Sequence, residues 1–290
     1  NEPVNIAIVG KYTGLGDSYL SVTKALMHSA ISADRKLNII WIEAGMLEDA
    51  TLAEDPSSHS DAWAKLHSVD GILVPGGFGE RGFEGKILTA KYARENKVPF
   101  LGICLGMQAA VIEYARNVLG NKSAHSTEMV PECADPAVIF MPEGSTTHMG
   151  GTMRLGARRT FFQTQDCKAA KLYNSPPFID ERHRHRYEVN PDMVDKLEAA
   201  GCVFVGKDET NRRMEILELE SHPFFLATQY HPEYKSRPGR PSPPFMGLIL
   251  AASGQLDRYI TTEAIEMRIN APGGFIQSPL KALKRLNNTM

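Results

Sequence analysis

The 290-residue chain has no uninterrupted apolar run of the roughly 18 residues that a membrane helix needs, so no transmembrane span and no membrane partner are expected. A basic segment followed by an apolar one is missing from its start, so no secretory signal is expected either. Cysteine is sparse: Cys104, Cys133, Cys167 and Cys202 are scattered and form no Cys-x-x-Cys pair. That argues against a zinc site or a disulfide scaffold, leaves no metal site in view, and suits a reducing, cytoplasmic compartment. Charge of one sign is also lacking: 32 Lys and Arg face 34 Asp and Glu, a net charge of −2, which gives no reason to expect nucleic acid as a partner. There is no internal repeat and no low-complexity linker. The chain opens on Asn1 rather than Met, so it is expected to be part of something longer.

What is present is organised around Val98-Pro99-Phe100-Leu101-Gly102-Ile103-Cys104-Leu105-Gly106-Met107-Gln108. An apolar run ends in Gly-x-Cys-x-Gly and a helix-compatible run starts at once. This is the strand–turn–helix setting of a nucleophile elbow, with Cys in place of Ser. Gly102 and Gly106 would relieve crowding about so tight a turn and permit unusual backbone angles. Cys104 would stand at a helix N-terminus, where the helix dipole favours a thiolate. The competing account is a small buried thiol in a Gly-rich turn.

With 42% hydrophobic residues, the chain can bury one large α/β core. Val4–Gly10, Asn38–Ile42 and Gly71–Val74 read as buried strands. A helix is expected from about Tyr19 to Ala33, capped by Asp17 or Ser18, a second from about Glu84 to Asn96, and a third from the elbow to Leu119, closed by Gly120. The Gly10-Lys11…Gly14…Gly16 loop fits no phosphate-binding pattern and reads as a plain connection. Ser57–Ser60 read as polar and exposed. Strands alternating with helices imply a mostly parallel sheet covered on both faces, with ligands at the C-terminal strand ends, where Pro75-Gly76-Gly77 and Cys104 lie. The second half changes style. Ala137–Met141, Gly151–Leu155, His183–Val189, Val203–Val205, Met214–Leu219 and Phe224–Gln229 read as short strands, some of them antiparallel. Pro191–Ala200 and Phe245–Leu256 read as helices. One domain is expected over 1–258, with 259–290 as a tail of few core contacts.

A thiol nucleophile needs a base, and the base an orienting group. Gln229-Tyr230-His231-Pro232-Glu233 supplies both at the end of a strand. Residues two apart in extended chain point the same way, so Glu233 can reach the ring of His231. Taken singly, His231 reads equally well as a structural histidine and Glu233 as a solvated carboxylate; with the elbow they make Cys…His-x-Glu. The N–H of Leu105, and one from the Pro75-Gly76-Gly77 loop, are candidates for an oxyanion hole. Arg182, Arg184 and Arg186 alternate as a basic stripe. His183 and His185, on the opposite face, read as core or interface histidines rather than metal ligands.

Gly-Ile-Cys-Leu-Gly-Met-Gln, Pro-Gly-Gly-Phe-Gly and His-Pro-Glu together resemble class I glutamine amidotransferases. More narrowly, Gly150–Gly156, Glu181–Asn190 and Pro241–Phe245 resemble the glutaminase half of CTP synthases, from Val4 to about Tyr259. The resemblance implies a flavodoxin-like fold with a mostly parallel central sheet, helices on both faces and a smaller antiparallel part. It implies that Cys104 attacks the side-chain amide of L-glutamine, that His231 acts as base and then acid, and that Glu233 orients it. It implies that Gly77 and Leu105 form the oxyanion hole, that Gly77 and Leu105, Gly106, Met107 and Gln108 contact the glutamine, and that Glu128 and Arg186 hold its amino-acid end. An Arg fork suits that carboxylate. No cofactor is expected in this domain. ATP, UTP, GTP and Mg are expected for a full-length enzyme, as are an N-terminal synthetase half, a homotetramer and ATP-dependent amination of UTP to CTP. The competing readings are another thiol hydrolase on the same fold and a non-catalytic regulatory or assembly module.

Overall fold

The computed structural model describes residues 1–11, 16–141 and 153–270. The first half alternates strand and helix: β1 (Pro3–Gly10), α1 (Leu20–Ser32), β2 (Lys36–Glu43), α2 (Asp49–Glu54), α3 (Pro56–His67), β3 (Gly71–Val74), α4 (Phe83–Asn96), β4 (Phe100–Ile103) and α5 (Leu105–Asn117). The second half is richer in strands: β5 (Ala124–Ser126), β6 (Asp135–Phe140), β7 (Arg154–Phe162), α6 (Lys168–Leu172), β8 (Phe178–His185), β9 (Tyr187–Val189), α7 (Pro191–Ala199), β10 (Cys202–Lys207), β11 (Met214–Leu219), β12 (Phe225–Thr228), α8 (Pro243–Ala252), α9 (Leu256–Tyr259) and α10 (Thr262–Ile269).

A nine-stranded sheet runs in the order β2-β1-β3-β4-β12-β11-β10-β7-β8. Its first five strands pair in parallel and the last four extend it antiparallel. The parallel strands are apolar on both sides because helices cover both faces. In β1, Ala7 and Val9 join a core under α3, α4 and α5, while Ile6 and Ile8 join a second core under α1 and α8. A separate three-stranded sheet, β5-β6-β9, stands beside α5.

Several expectations need correction. α1 begins at Leu20, so its N-cap position falls on Tyr19 rather than on Asp17 or Ser18, and Tyr19 makes no side-chain cap bond. Tyr19 is drawn inward instead, its hydroxyl bonded to both the N–H and the carbonyl of Lys11. The helix after the elbow ends at Asn117, before Gly120 turns the chain at φ +76°. His183–Val189 is two strands in two sheets, broken at Arg186. Phe245–Leu256 is likewise two helices, parted where Gly254 adopts φ +67°. Ser57–Ser60 are exposed or half-buried, as expected of a polar stretch, and they lie within α3, which Asp55 caps by accepting from the Ser58 N–H at 3.1 Å. Within the expected 259–290 tail, residues 262–269 form α10. Its Arg268 lies over the Tyr259 ring at 4.0 Å and bonds the Tyr259 carbonyl at 2.7 Å. Gly14, Gly150, Gly151, Thr152 and the tail from 271 onward lie outside the described residues.

Candidate active site

β4 delivers the chain to Cys104, which has φ +52° and ψ −103°, a strained conformation for a residue with a Cβ. The turn closes immediately: the Cys104 N–H donates to Thr228 O at 2.7 Å, and the N–H groups of Met107 and Gln108 donate to Cys104 O at 3.0 and 3.1 Å. The glycines on either side make room rather than bend. Neither Gly102 nor Gly106 takes a positive φ; the unusual angle sits on Cys104 itself. A Cβ on Gly102 would come within 2.9 Å of the Gly106 backbone, and one on Gly106 would collide with the Val74 carbonyl. The helix therefore packs backbone against backbone on β3.

β12, paired in parallel with β4, carries the chain past Thr228 to His231. The His231 N–H donates to Arg182 O at 2.8 Å, and its Nδ1 meets Glu233 Oε1 at 2.8 Å. That leaves Nε2 for Cys104. Burial would lower the His231 pKa; hydrogen bonding and charge at Cys104 and Glu233 outweigh burial and raise it to about 11. A Cβ on Gly76 would lie 2.8 Å from His231 Cε1 and 3.4 Å from Cys104 Cβ. Cys104, His231, Glu233 and the Pro75–Gly77 loop thus converge. They line one cavity of about 160 Å³, together with Phe78, Arg184 and Tyr234.

A second, smaller cavity of about 30 Å³ shares Gly77, Phe78 and Cys104 with the first and is otherwise lined by Gln108, Glu128, His185, Arg186 and Tyr187. The small sheet builds it. Glu128 follows β5 and Arg186 precedes β9, and both strands pair with β6. The sequence-predicted Gly77, Gln108, Glu128 and Arg186 are therefore neighbours. Leu105, Gly106 and Met107 form the first turn of α5, in which the Leu105 and Gly106 N–H groups precede the first bond of the turn, that from the Met107 N–H to Cys104 O. Arg186 does not continue the stripe of Arg182 and Arg184, which point outward on β8; it lies in the break between β8 and β9, and its Nε has no partner among the described residues.

Three features escaped sequence reasoning. Lys86, from α4, is fully buried beneath the Pro75–Gly77 loop and bonds Pro75 O at 3.4 Å. Burial, with the charge of Lys11 added, lowers its pKa to about 8 despite Cys104 and Glu128 nearby. Lys11 Nζ holds the next part of that loop, bonding Phe78 O at 2.8 Å and Gly79 O at 3.0 Å, while Glu128 Oε1 accepts from the Gly79 N–H at 3.1 Å. Gln229, finally, places its Nε2 3.6 Å from Cys104 Sγ. Its place two residues before His231 in extended chain was the available signal. His183 and His185 are buried, 3.0 Å apart, with His185 Nδ1 on Tyr187 O at 3.1 Å. Burial, reinforced by neighbouring cations, keeps both neutral, lowering them to about 2 and about 3.

A cysteine on an elbow, a buried histidine held by a carboxylate, and a glycine loop facing both form a site of the class I amidotransferase type. The model of the glutamine amidotransferase class-I family matches residues 15–251, and the chain belongs to that family. Its branch is that of the CTP synthase glutaminase domains. CTP synthase 2 of Xenopus laevis is 55% identical over 256 residues, 88% of this chain and 44% of that protein. CTP synthase of Candida glabrata is 56% identical over 263 residues, 89% of this chain and 46% of that protein. The chain thus spans less than half the length of these relatives. Among solved structures, the Trypanosoma brucei CTPS glutaminase domain with bound acivicin superposes with a TM-score of 0.80 at 37% identity, covering 87% of this chain and 94% of that one. No helix among the described residues is long and apolar enough to cross a membrane.

Proposed function

We propose that this chain hydrolyses L-glutamine to glutamate and ammonia at Cys104. The observation that carries the reading is the convergence of Cys104, His231 and Glu233 about Gly76. His231 takes the Cys104 proton through Nε2, and Sγ attacks the side-chain amide carbon. The oxyanion of the tetrahedral intermediate accepts from the N–H groups of Leu105 and Gly77. The C–N bond breaks as the imidazolium gives its proton to the leaving nitrogen, which departs as ammonia. Water then attacks the glutamyl thioester, His231 removes its proton, and the sulfur leaves. Glu233 holds the ring in one orientation and stabilises the imidazolium; it gains no proton itself. Glu128 meets the substrate ammonium and Arg186 its carboxylate, with Gly106, Met107 and Gln108 against the chain between.

The cavity of about 30 Å³ that brings Gly77, Gln108, Glu128 and Arg186 to Cys104 is where this reading seats the amino-acid end of glutamine. The ammonia serves ATP-dependent amination of UTP to CTP in an N-terminal synthetase half, with ATP, UTP, GTP and Mg as that full-length enzyme's ligands, in a cytoplasmic homotetramer. The test follows glutamate, ammonia and CTP together in the presence of these nucleotides. Assayed without a synthetase half, this chain should form glutamate and ammonia slowly and no CTP, because that half is what biases the site toward the competent state. Acivicin should label Cys104 and none of Cys133, Cys167 and Cys202. Labelling elsewhere with Cys104 untouched overturns the nucleophile assignment, and CTP made by this chain overturns the division of labour.

A further inference from the structure

Gln229 is buried, one residue beyond β12, and its backbone N–H is anchored on Glu215 O at 3.0 Å. Its side chain bridges two groups. Nε2 lies 3.6 Å from Cys104 Sγ, and Oε1 lies 3.4 Å from Nε2 of Gln108. One acceptor fixes both amides. Gln108 Nε2 is 2.9 Å from the Tyr187 carbonyl, which can only accept, so the Gln108 NH₂ must face it. The second hydrogen of that NH₂ goes to Gln229 Oε1. The NH₂ of Gln229 is left facing the sulfur; turning it over would set NH₂ against NH₂.

We infer that Gln229 is a further catalytic residue, donating an N–H···S hydrogen bond to Cys104 in an orientation set by Gln108 and Tyr187. The inference rests on Cys104 being the nucleophile. A sulfur carrying full charge accepts a hydrogen bond far better than a thiol or thioester sulfur does. The donation therefore favours the thiolate at two moments: before attack on the substrate, and when the sulfur leaves as the thioester is hydrolysed. The amide carries no charge and does not titrate, so it acts at any pH without competing with His231 for the proton. The two donors also act from separate elements, His231 from the loop that Glu233 holds and Gln229 from a relay that ends on β9.

The experiment measures the rate of Cys104 alkylation by iodoacetamide against pH, with peptide mapping. This probe has no amino-acid end and so makes no demand on Glu128 or Arg186. Gln229→Met keeps the length and removes the donor; Gln229→Glu keeps the shape and sets an anion against the sulfur. The pH of half-maximal rate should move up by about one unit in Q229M and further in Q229E, with the high-pH plateau unchanged. Folding is checked by circular dichroism and thermal midpoint, and Q229E carries the test if Q229M does not fold. Wild-type midpoints in folded variants overturn the role of Gln229 while Cys104 stands. A wild-type protein labelled elsewhere, with Cys104 untouched, overturns the nucleophile reading and this inference with it.

Discussion

At the scale of single residues, the site depends on one buried base that is both pulled down and pulled up. Burial disfavours the His231 imidazolium, and the Cys104 and Glu233 partners overcome that, leaving its pKa at about 11. The two partners are not equivalent. Cys104 exchanges a proton with the ring, whereas Glu233 meets only Nδ1, at 2.8 Å. His231→Ala should lower kcat by at least roughly 10³-fold, because the ring hydrogen-bonded to Cys104 is the base that takes the thiol proton. Glu233→Gln should cost less, roughly 10²-fold, since the ring keeps a neighbour of the same shape and loses charge stabilisation and tautomer control. Steady-state glutamate release by the two folded variants checks the order. If His231→Ala keeps most of its kcat, the base lies elsewhere.

At the scale of elements, two glycines that look alike in the sequence do different work. Gly106 is a packing glycine: a methyl there meets the Val74 carbonyl, and α5 would have to leave β3. Gly76 is a site glycine: a methyl there meets the His231 ring at 2.8 Å, and no positive φ forbids alanine. Gly76→Ala should therefore lower kcat at least ten-fold while the thermal midpoint moves by only a few degrees, because an ångström of misplacement in a catalytic group costs about 10² in rate. Gly106→Ala should lose several kcal/mol of stability along with activity, as overpacking a dense core does. Denaturant melts beside kinetics separate the two; equal stability loss in both would remove the distinction. The elbow, the four parallel strands of the first half and His-x-Glu were legible because each is a local pattern. Other parts were not, for identifiable reasons. The strand over 183–189 kept one unbroken alternation across Arg186, so its jump from one sheet to another left no local mark. β5 is three residues long, too short for a period, yet it sets Glu128. α3 carried the Asp55-Pro56 start signal, but over Ser57–Ser60 only polarity and exposure were read, and a polar helix face shows no apolar period. Lys86 was hidden because a lysine on a helix ordinarily faces water.

At the scale of the whole molecule, the sheet serves two masters: its parallel half carries Cys104 and His231, and its antiparallel half encloses a buried ionisable network behind them. In that network Glu215 meets Arg154 at 2.9 Å and Thr160, and lies 3.8 Å from His183. Burial raises the Glu215 pKa to about 7, with Thr160 and Arg154 opposing but not cancelling it. The sign of its effect on stability follows. Below about pH 4.5 the carboxyl is protonated in both folded and unfolded chains and costs nothing. Between there and pH 7 the folded chain holds a proton that the unfolded chain has released, so stability falls as pH rises. Above pH 7 the folded chain carries the buried anion and the full cost, on the order of 3 kcal/mol. His183 and His185 work in the opposite direction. Neutral in the fold and protonated when unfolded, they subtract stability as pH falls below about 6.5. Glutamine at position 215 has nearly the shape of the neutral acid and cannot ionise. Glu215→Gln should therefore match or trail the wild type at pH 5 and gain on it steadily toward pH 8, and it should steepen the loss of stability on acidification, since the histidines are then unopposed. Urea melts of both proteins from pH 4.5 to 8 measure the difference directly. A difference that stays flat with pH, or that favours the wild type at pH 8, would mean that Glu215 is ionised in the fold throughout and that Arg154 compensates its burial.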